Sequence, residues 1–363
     1  MTFSTKVNLG RFFEDFVFNE VIQHATPRTI TVGDCALYIA LTGARNPLHC
    51  SDPFAQSLGY KTTPVDDLLA FHIAFGKTVP DISVNAVANL GYADVRFLQP
   101  VFVGDTLSTS SQVIGLRQNS SGKSGVVWVR STSINQRGKP VLSWVRWVMV
   151  HKNNLDAPAP ATTIPDLPSF VAPENLSVPS YFSAKKFDAT ATGGKYFWQD
   201  YQAGELINHT AGMIINDSDH SMATRLYQNN ARLHFENLYN KDLQVNVMDA
   251  VQLQIGKRLV YGGVTISICR SLSFQGLENA ISILAINAGT HANPSFAGDT
   301  IYCATEVIEK FELNKELGAL RLRMIGIKNM SPNDLADIKT NEKYHENVVL
   351  DLDYTVAMPR RKN

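Results

Sequence analysis

Residues 42–49 read Thr-Gly-Ala-Arg-Asn-Pro-Leu-His, and residues 227–234 read Tyr-Gln-Asn-Asn-Ala-Arg-Leu-His. Each segment follows a predicted helix whose acidic N-cap, Asp34 or Asp219, lies 15 residues before the final histidine. Each is followed by an apolar segment and later by a Gly-Asp-Thr turn. Because the same signals occur twice in the same order, the sequence predicts two copies of one domain.

A proline-rich stretch separates the two copies. Prolines fix φ and remove backbone donors, so such a stretch is typical of a linker. We predict a first domain over residues 1–153, a linker over 154–185 and a second domain over 186–363. In each domain one apolar helix precedes several alternating strands, for example the two across residues 125–150, which indicates the α+β class. Edge-to-edge pairing of the two sheets would cover strands that are otherwise open.

Composition and charge limit the class of protein. The 363 residues are 44% hydrophobic, enough for a core in each domain, and 33 basic residues balance 33 acidic ones. A balanced charge favours neither nucleic acid nor an anionic membrane as a partner. The four cysteines show no Cys-x-x-Cys spacing and the start of the chain does not resemble a signal peptide, so we expect a reduced, cytoplasmic protein. Neither glycine-rich phosphate motifs nor histidine ligand spacings occur, and we expect no metal and no cofactor.

The repeated motif resembles a known family. Residues 42–49 are similar to the Thr-Gly-Asp-x-Asn-Pro-x-His signature of the MaoC-like, (R)-specific enoyl-CoA hydratases, which are hot-dog folds. Residues 259–268 resemble the family's apolar His-Gly-Met segment, and the turns at 104–106 and 298–300 resemble its later Gly-Asp-Thr turn. Residues 64–97 resemble the double hot-dog subgroup that includes the mesaconyl-CoA hydratases. The resemblance implies an α+β tandem hot-dog in which a curved antiparallel sheet wraps a long central helix in each half.

The resemblance also implies where the chemistry lies. In the family, an Asp and a His five residues apart hold a water, and a backbone N–H at the glycine of the apolar segment holds the thioester oxygen. The second half has Asn229, His234 and Gly262 at these positions. This match implies that His234 is the acid/base group and that Asn229 positions the water. Since an amide cannot accept a proton, proton transfer falls on His234 alone or on a nearby carboxylate such as Glu236.

The first half matches the signature differently. It keeps Asn46 and His49, but Ala44 replaces the Asp and the glycine position falls near Asp67. His49 is therefore either a true acid/base group or part of a residual site that helps to bind CoA. We expect Asn46 to line the substrate site.

Hydration of an α,β-unsaturated thioester needs an acid/base group and a donor for the negative charge that develops on the thioester oxygen. Backbone N–H groups supply such donors best where no Cβ intervenes. Gly262 or Gly263 can therefore serve, and the neighbouring Tyr261 is expected to contact substrate. The absence of an equivalent glycine in the first half favours the second half as the catalytic one.

Arginines near the motifs are the residues from which we predict the acyl group of the substrate. Mesaconyl-CoA carries a free carboxylate beyond the thioester, and a guanidinium binds a carboxylate with two parallel hydrogen bonds. Arg45 and Arg232 lie inside the two motifs and are candidates for this contact. We therefore expect a hydro-lyase that interconverts mesaconyl-CoA and β-methylmalyl-CoA, with the homo-oligomeric state common in the family. Two alternatives remain open: a general (R)-specific enoyl-CoA hydratase, and a non-catalytic acyl-CoA-binding protein, which the missing motif Asp favours.

Overall fold

The computed structural model describes residues 6–236 and 257–361. Within these ranges the α-helices are α1 (Val32–Thr42), α2 (Asp52–Ser57), α3 (Asp67–Gly76), α4 (Val79–Ile82), α5 (Ala189–Thr192), α6 (Asp217–Leu226) and α7 (Gly262–Leu272). The strands are β1 (Val21–Gln23), β2 (Arg28–Thr29), β3 (Ala86–Phe97), β4 (Thr106–Gln118), β5 (Ser124–Ile134), β6 (Pro140–His151), β7 (Leu206–Ile214), β8 (Ile283–Thr290), β9 (Thr300–Glu312), β10 (Leu317–Lys328), β11 (Lys339–Thr340), β12 (Lys343–Tyr344) and β13 (Val348–Pro359).

One antiparallel sheet joins the two halves of the chain. Its strand order is β1-β4-β5-β6-β3-β8-β13-β10-β9-β7, and β2 pairs with β4. At the centre β3 of the first half pairs with β8 of the second, with Tyr92 opposite Gly289 and Val95 opposite Ile286. The expected edge-to-edge pairing of the two halves is therefore confirmed. The strands expected across residues 125–150 are β5 and β6.

The Gly-Asp-Thr turns have the same geometry in both halves. Gly104 and Gly298 have φ values of 92° and 96°, which favour glycine. Asp105 accepts a hydrogen bond from the backbone N–H of Phe102 at 2.9 Å, and Asp299 accepts the equivalent bond at 2.8 Å. The predicted turns, which lead into β4 and β9, are confirmed.

The first turns of α1 and α6 differ from the prediction. The N-cap of α1 is Thr31, whose hydroxyl accepts a hydrogen bond from the backbone N–H of Asp34. In return the Asp34 carboxylate accepts the Thr31 N–H at 2.8 Å, which makes a capping box. Asn216 precedes α6, and Asp219 again occupies the third helical position. The prediction of Asp34 and Asp219 as N-caps is therefore wrong, because in both halves the acid is three residues inside the cap.

Two apolar helices supply the centre of the core. Every residue of α3 after Asp67 is buried, and α7 is buried from Gly263 through Cys269. α7 packs against β7, β9, β10 and β13. A single hydrophobic cluster contains residues of both halves, including Phe71 and Trp144 from the first and Met324 from the second. The two halves therefore share one core.

The proline-rich stretch is docked on the rest of the chain. Residues 152–205, all of which the structure describes, contribute no strand to the large sheet. Val171 is buried and its N–H donates to Oδ1 of Asn287 at 2.9 Å. The N–H of Ser183 donates to the carbonyl of Leu58 at 3.0 Å. The domain boundaries at 153/154 and 185/186 stay a prediction.

The described part of the chain belongs to the α+β class, as the sequence predicts. None of the helices within residues 6–236 and 257–361 has the length and apolar character that a membrane span requires.

Alanine at Gly104 or Gly298 tests the equivalence of the two turns. A Cβ would meet no atom within 4 Å at either position, so the cost is backbone strain alone, about 1–2 kcal/mol. We expect both variants to lower the urea midpoint of unfolding by similar amounts. Gly33→Ala is the matched control, because Gly33 is helical without a positive φ and should keep or raise the midpoint. A loss at only one turn would contradict the shared geometry.

Candidate active site

The structure places the first-half motif in a cleft between the two halves. His49, Asp66 and Asp67 line the cleft from the first half. Arg270 and Phe274, from the end of α7 and the turn after it, line it from the second. The cleft therefore combines titratable groups of one half with a cationic wall of the other.

His49 ends a 3-10 turn, Pro47–His49. One of its ring nitrogens donates a hydrogen bond to the backbone, and the other faces a carboxylate. Its Nδ1 lies 3.2 Å from the carbonyl oxygen of Pro64. Since a carbonyl oxygen only accepts, Nδ1 carries the proton and the neutral ring keeps a lone pair on Nε2. This Nε2 lies 3.7 Å from Oδ2 of Asp67. An imidazole held in this way is suited to accept and return a proton.

Opposing effects set the pKa of His49. Burial alone lowers the pKa, whereas the contact of the ring with the Asp67 carboxylate and the negative charges of Asp66 and Asp67 raise it. The raising effects prevail, so the pKa lies above its ordinary value of 6.5. His49 can therefore exchange protons close to neutral pH.

Hydrogen bonds to the second half fix the motif. Nδ2 of Asn46 donates to the carbonyls of Ala280 at 3.1 Å and Ile281 at 2.7 Å. Oδ2 of Asp67 accepts the backbone N–H of Ile283 at 2.8 Å. Asn46 thus orients the motif, and its expected contact with substrate stays a prediction.

Two guanidinium groups border the cleft. The exposed Arg45 has its guanidinium carbon 5.1 Å from the ring centroid of Phe274. The half-buried Arg270 donates from Nη1 to Oγ of Ser273 at 3.3 Å. In the part of the chain that the structure describes, neither side chain forms an ion pair with a carboxylate.

The histidine of the second-half motif makes the same hydrogen bond to a main-chain carbonyl as His49, but in a less polar environment. His234 is buried, and its Nδ1 donates to the carbonyl of Leu259 at 2.9 Å. Its ring centroid lies 5.6 Å from that of Tyr261. Burial is the largest effect and lowers the pKa of His234 to about 4. Oδ1 of Asn229 accepts the backbone N–H of Ala231 at 3.0 Å, so the acceptor predicted to hold water is already used once.

The paired glycines at the start of α7 allow rings to pack closely. A Cβ on Gly262 would lie 2.2 Å from Cε1 of His291. A Cβ on Gly263 would lie 2.4 Å from the ring of Tyr261 and 2.8 Å from Nδ1 of His72. Packing alone therefore requires glycine at both positions. The roles of Gly262 and Gly263 as N–H donors, and of Tyr261 in binding, stay predictions.

Arg232 differs from Arg45 in its surroundings. It is exposed, and its Nε and Nη2 donate to the two carboxylate oxygens of Glu236 at 2.9 and 2.7 Å. The guanidinium of Arg232 is thus already engaged by a carboxylate. Its expected contact with a substrate carboxylate stays a prediction.

Asp66 and Arg270 are cleft residues that are not predicted from the sequence, and Asp67 is predicted only as a departure from the family's glycine. Two acids before an apolar helix are typical of capping, and Asp66 does accept the backbone N–H of Leu68 at 2.9 Å. Asp67 could be found from the sequence because it lies as far after the first histidine motif as the family's glycine does. Arg270 gave no local signal, because only the packing of the two halves brings α7 to the cleft.

The described residues, 6–236 and 257–361, present no cluster of metal ligands. These ranges contain no group of three or more His, Cys, Asp or Glu side chains that could hold a metal ion. The expectation that the protein uses no metal and no cofactor stays a prediction.

Comparison with known protein structures addresses the fold. A crystal structure described as a putative MaoC domain protein dehydratase, from Chloroflexus aurantiacus, superposes with a TM-score of 0.93 at 52% identity. The superposition covers 99% of this chain and 100% of that one. A Mycobacterium tuberculosis protein described as a double hot-dog fold gives a TM-score of 0.71 at 23% identity, over 96% and 98% of the two chains. The predicted double hot-dog fold is confirmed.

Comparison with known sequences addresses the family. A model of the MaoC like domain matches residues 15–135. Beta-methylmalyl-CoA dehydratase of Chloroflexus aurantiacus is 52% identical over 360 residues, which cover 99% of both chains. Mesaconyl-CoA hydratase of Cereibacter sphaeroides is 50% identical over 356 residues, which cover 98% of this chain and 100% of that one. Identity at this level along nearly the whole length shows that the chain belongs to the MaoC-like family of hydratases and dehydratases.

Proposed function

We propose that the protein is a hydro-lyase that interconverts mesaconyl-CoA and β-methylmalyl-CoA. The observation that carries the proposal is the identity of 52% and 50%, over nearly the whole chain, to a β-methylmalyl-CoA dehydratase and a mesaconyl-CoA hydratase. These two names describe opposite directions of a single reaction, because dehydration of β-methylmalyl-CoA gives mesaconyl-CoA. Both relatives therefore support the same substrate pair.

His49 is the acid/base group of this proposal. In the hydration direction the oxygen of water bonds to the β-carbon of the acyl group, and one O–H bond of the water breaks. The released proton passes to Nε2 of His49, while the π electron pair moves to the α-carbon and the thioester oxygen. The imidazolium then returns the proton to the α-carbon. One water has been added, and His49 is neutral again.

Asp67 replaces the motif aspartate in this mechanism. Ala44 leaves no carboxylate inside the first motif, but the start of α3 places Oδ2 of Asp67 3.7 Å from Nε2 of His49. A negative charge at this distance stabilises the imidazolium that forms when the water gives up its proton. The hydrogen bond from the N–H of Ile283 holds the carboxylate in position.

The second-half site, with His234, Asn229 and Gly262, which the sequence favours as the catalytic one, is here the alternative location for the chemistry. Its histidine has a pKa near 4, which makes it a weak base at neutral pH. The hypothesis of a non-catalytic acyl-CoA-binding protein rests on the absence of the motif aspartate. The position of Asp67 beside His49 weakens that support.

The proposal includes the ligands, the assembly and the location of the protein. The substrate is a CoA thioester, and no further cofactor, nucleic acid or membrane partner is needed for the chemistry described. We also propose that the protein is a cytoplasmic homo-oligomer. Its chain would divide into two domains and a linker at 153/154 and 185/186.

Histidine substitutions test which half carries the reaction. We expect His49→Ala to lower kcat for mesaconyl-CoA by about 10²–10⁴-fold, because it removes the acid/base group. His234→Ala should lower kcat by less than about tenfold. The measurement is the loss of absorbance of the conjugated thioester, with thermal unfolding recorded for both variants. The reverse order of effects in folded variants would move the site to the second half, and an inactive parent protein would remove the proposed function.

The pH dependence of kcat/KM separates the two histidines independently. A general base must be unprotonated, so activity falls as the pH drops below its pKa. We expect the acidic limb of the profile above pH 6.5, since the pKa of His49 is raised, and a limb near pH 4 would instead identify His234. Asp67→Asn removes the largest effect that raises the pKa of His49, so the limb should move to lower pH. Asp156→Asn, at an exposed carboxyl outside the cleft, is the matched control and should leave the limb in place.

A further inference from the structure

Arg270 is a second-half residue at a first-half site. It lies near the C-terminus of α7, yet its side chain lines the same cleft as His49, Asp67 and Arg45. Phe274 follows it on the same wall and contacts the guanidinium of Arg45. The cleft thus receives one arginine from each half.

Among the described residues neither Arg45 nor Arg270 has an anionic partner, in contrast to arginines of the large sheet. In the second half, Arg321 pairs with Asp353 at 2.6 Å and Arg323 pairs with Asp351 at 2.7 Å. Arg270 is half-buried, and among the described residues its side chain bonds only to the hydroxyl of Ser273. A guanidinium that is partly removed from water without an opposite charge carries a desolvation cost. An anionic ligand in the cleft would offset that cost.

The two carboxylates in the cleft do not fill this role. Oδ1 of Asp66 accepts the backbone N–H of Leu68, and Oδ2 of Asp67 accepts that of Ile283. Neither Asp66 nor Asp67 forms an ion pair with an arginine of the cleft in the described part of the chain. The backbone holds both carboxylates and one of them faces the histidine, so the guanidinium groups of Arg45 and Arg270 keep N–H donors that a ligand carboxylate can use.

The substrate pair supplies an anion at the required place. In mesaconyl-CoA the free carboxylate is attached to the β-carbon, the atom that the water attacks. Any group that binds this carboxylate must therefore lie close to the acid/base group. Two guanidinium groups can engage both carboxylate oxygens and fix the β-carbon relative to Nε2 of His49.

We propose that Arg270 and Arg45 together bind the free carboxylate of the acyl group, so that α7 of the second half sets the substrate specificity of the first-half site. This inference rests on the proposed function. It assigns a specificity role to Arg270 and makes the cleft a composite of both halves. An acyl-CoA with a methyl group in place of the carboxylate gains nothing from either arginine.

Saturated acyl-CoA probes test the inference without turnover. Succinyl-CoA carries a carboxylate on the β-carbon, butyryl-CoA carries a methyl group there, and neither can be hydrated. We expect calorimetry to show that succinyl-CoA binds about 10–100-fold more tightly than butyryl-CoA. Arg270→Gln and Arg45→Gln should reduce succinyl-CoA affinity toward that of butyryl-CoA and leave butyryl-CoA affinity unchanged. Arg270→Lys should retain part of the preference, because it keeps the charge and loses the planar fork.

The controls separate this proposal from its rivals. Arg137→Gln, at an exposed arginine in the turn between β5 and β6, should leave both affinities unchanged. Equal losses for both probes in Arg270→Gln would mean that the arginine contacts the CoA portion or maintains the fold, and would overturn the inference. Equal binding of both probes by the parent protein would also overturn it. If the preference holds but mesaconyl-CoA is not hydrated, the proposed function fails while the carboxylate site stands.

Discussion

The antiparallel pairing of β3 with β8 is the constraint on which the rest of the structure depends. It joins six strands of the first half and five of the second into one sheet and brings α3 and α7 into a common core. β8 begins at Ile283, whose backbone N–H donates to Asp67. The same strand that connects the halves therefore holds the carboxylate that faces His49. Displacing the second half would remove both the support of Asp67 and the cationic wall of the cleft.

The two halves share a backbone plan but differ in charge. In each motif the histidine ends a 3-10 turn and donates from Nδ1 to a main-chain carbonyl. In the first half Asp67 begins the central helix and raises the pKa of His49, whereas in the second half Gly262 begins it. Among the described residues no comparable carboxylate acts on the pKa of His234, and burial lowers that pKa to about 4. The acid or glycine at the start of the helix is thus one physical cause of the difference between the two histidines.

Local features of the fold could be predicted from the sequence because each has a short-range cause. The glycine turns need a positive φ, and alternating apolar residues specify strands such as β5 and β6. The N-caps of α1 and α6 were misplaced because Asp34 and Asp219 occupy the third position, where a capping-box acid is also favourable. The sequence favoured the second half as the catalytic one because of its glycine pair. The structure shows that Gly262 and Gly263 are also required by the packing of His291 and Tyr261.

The composite cleft could not be predicted, because its members are far apart in the chain and its property is a local charge. The whole chain has 33 basic and 33 acidic residues, and this balance hides the arrangement at the cleft. There the backbone and the histidine engage the carboxylates, while Arg270 and Arg45 have no carboxylate partner among the described residues. Electrostatic selectivity depends on which charges remain uncompensated at a site, and not on the net charge of the protein. A chain that is neutral overall can therefore offer two unpaired guanidinium groups to an anionic acyl group.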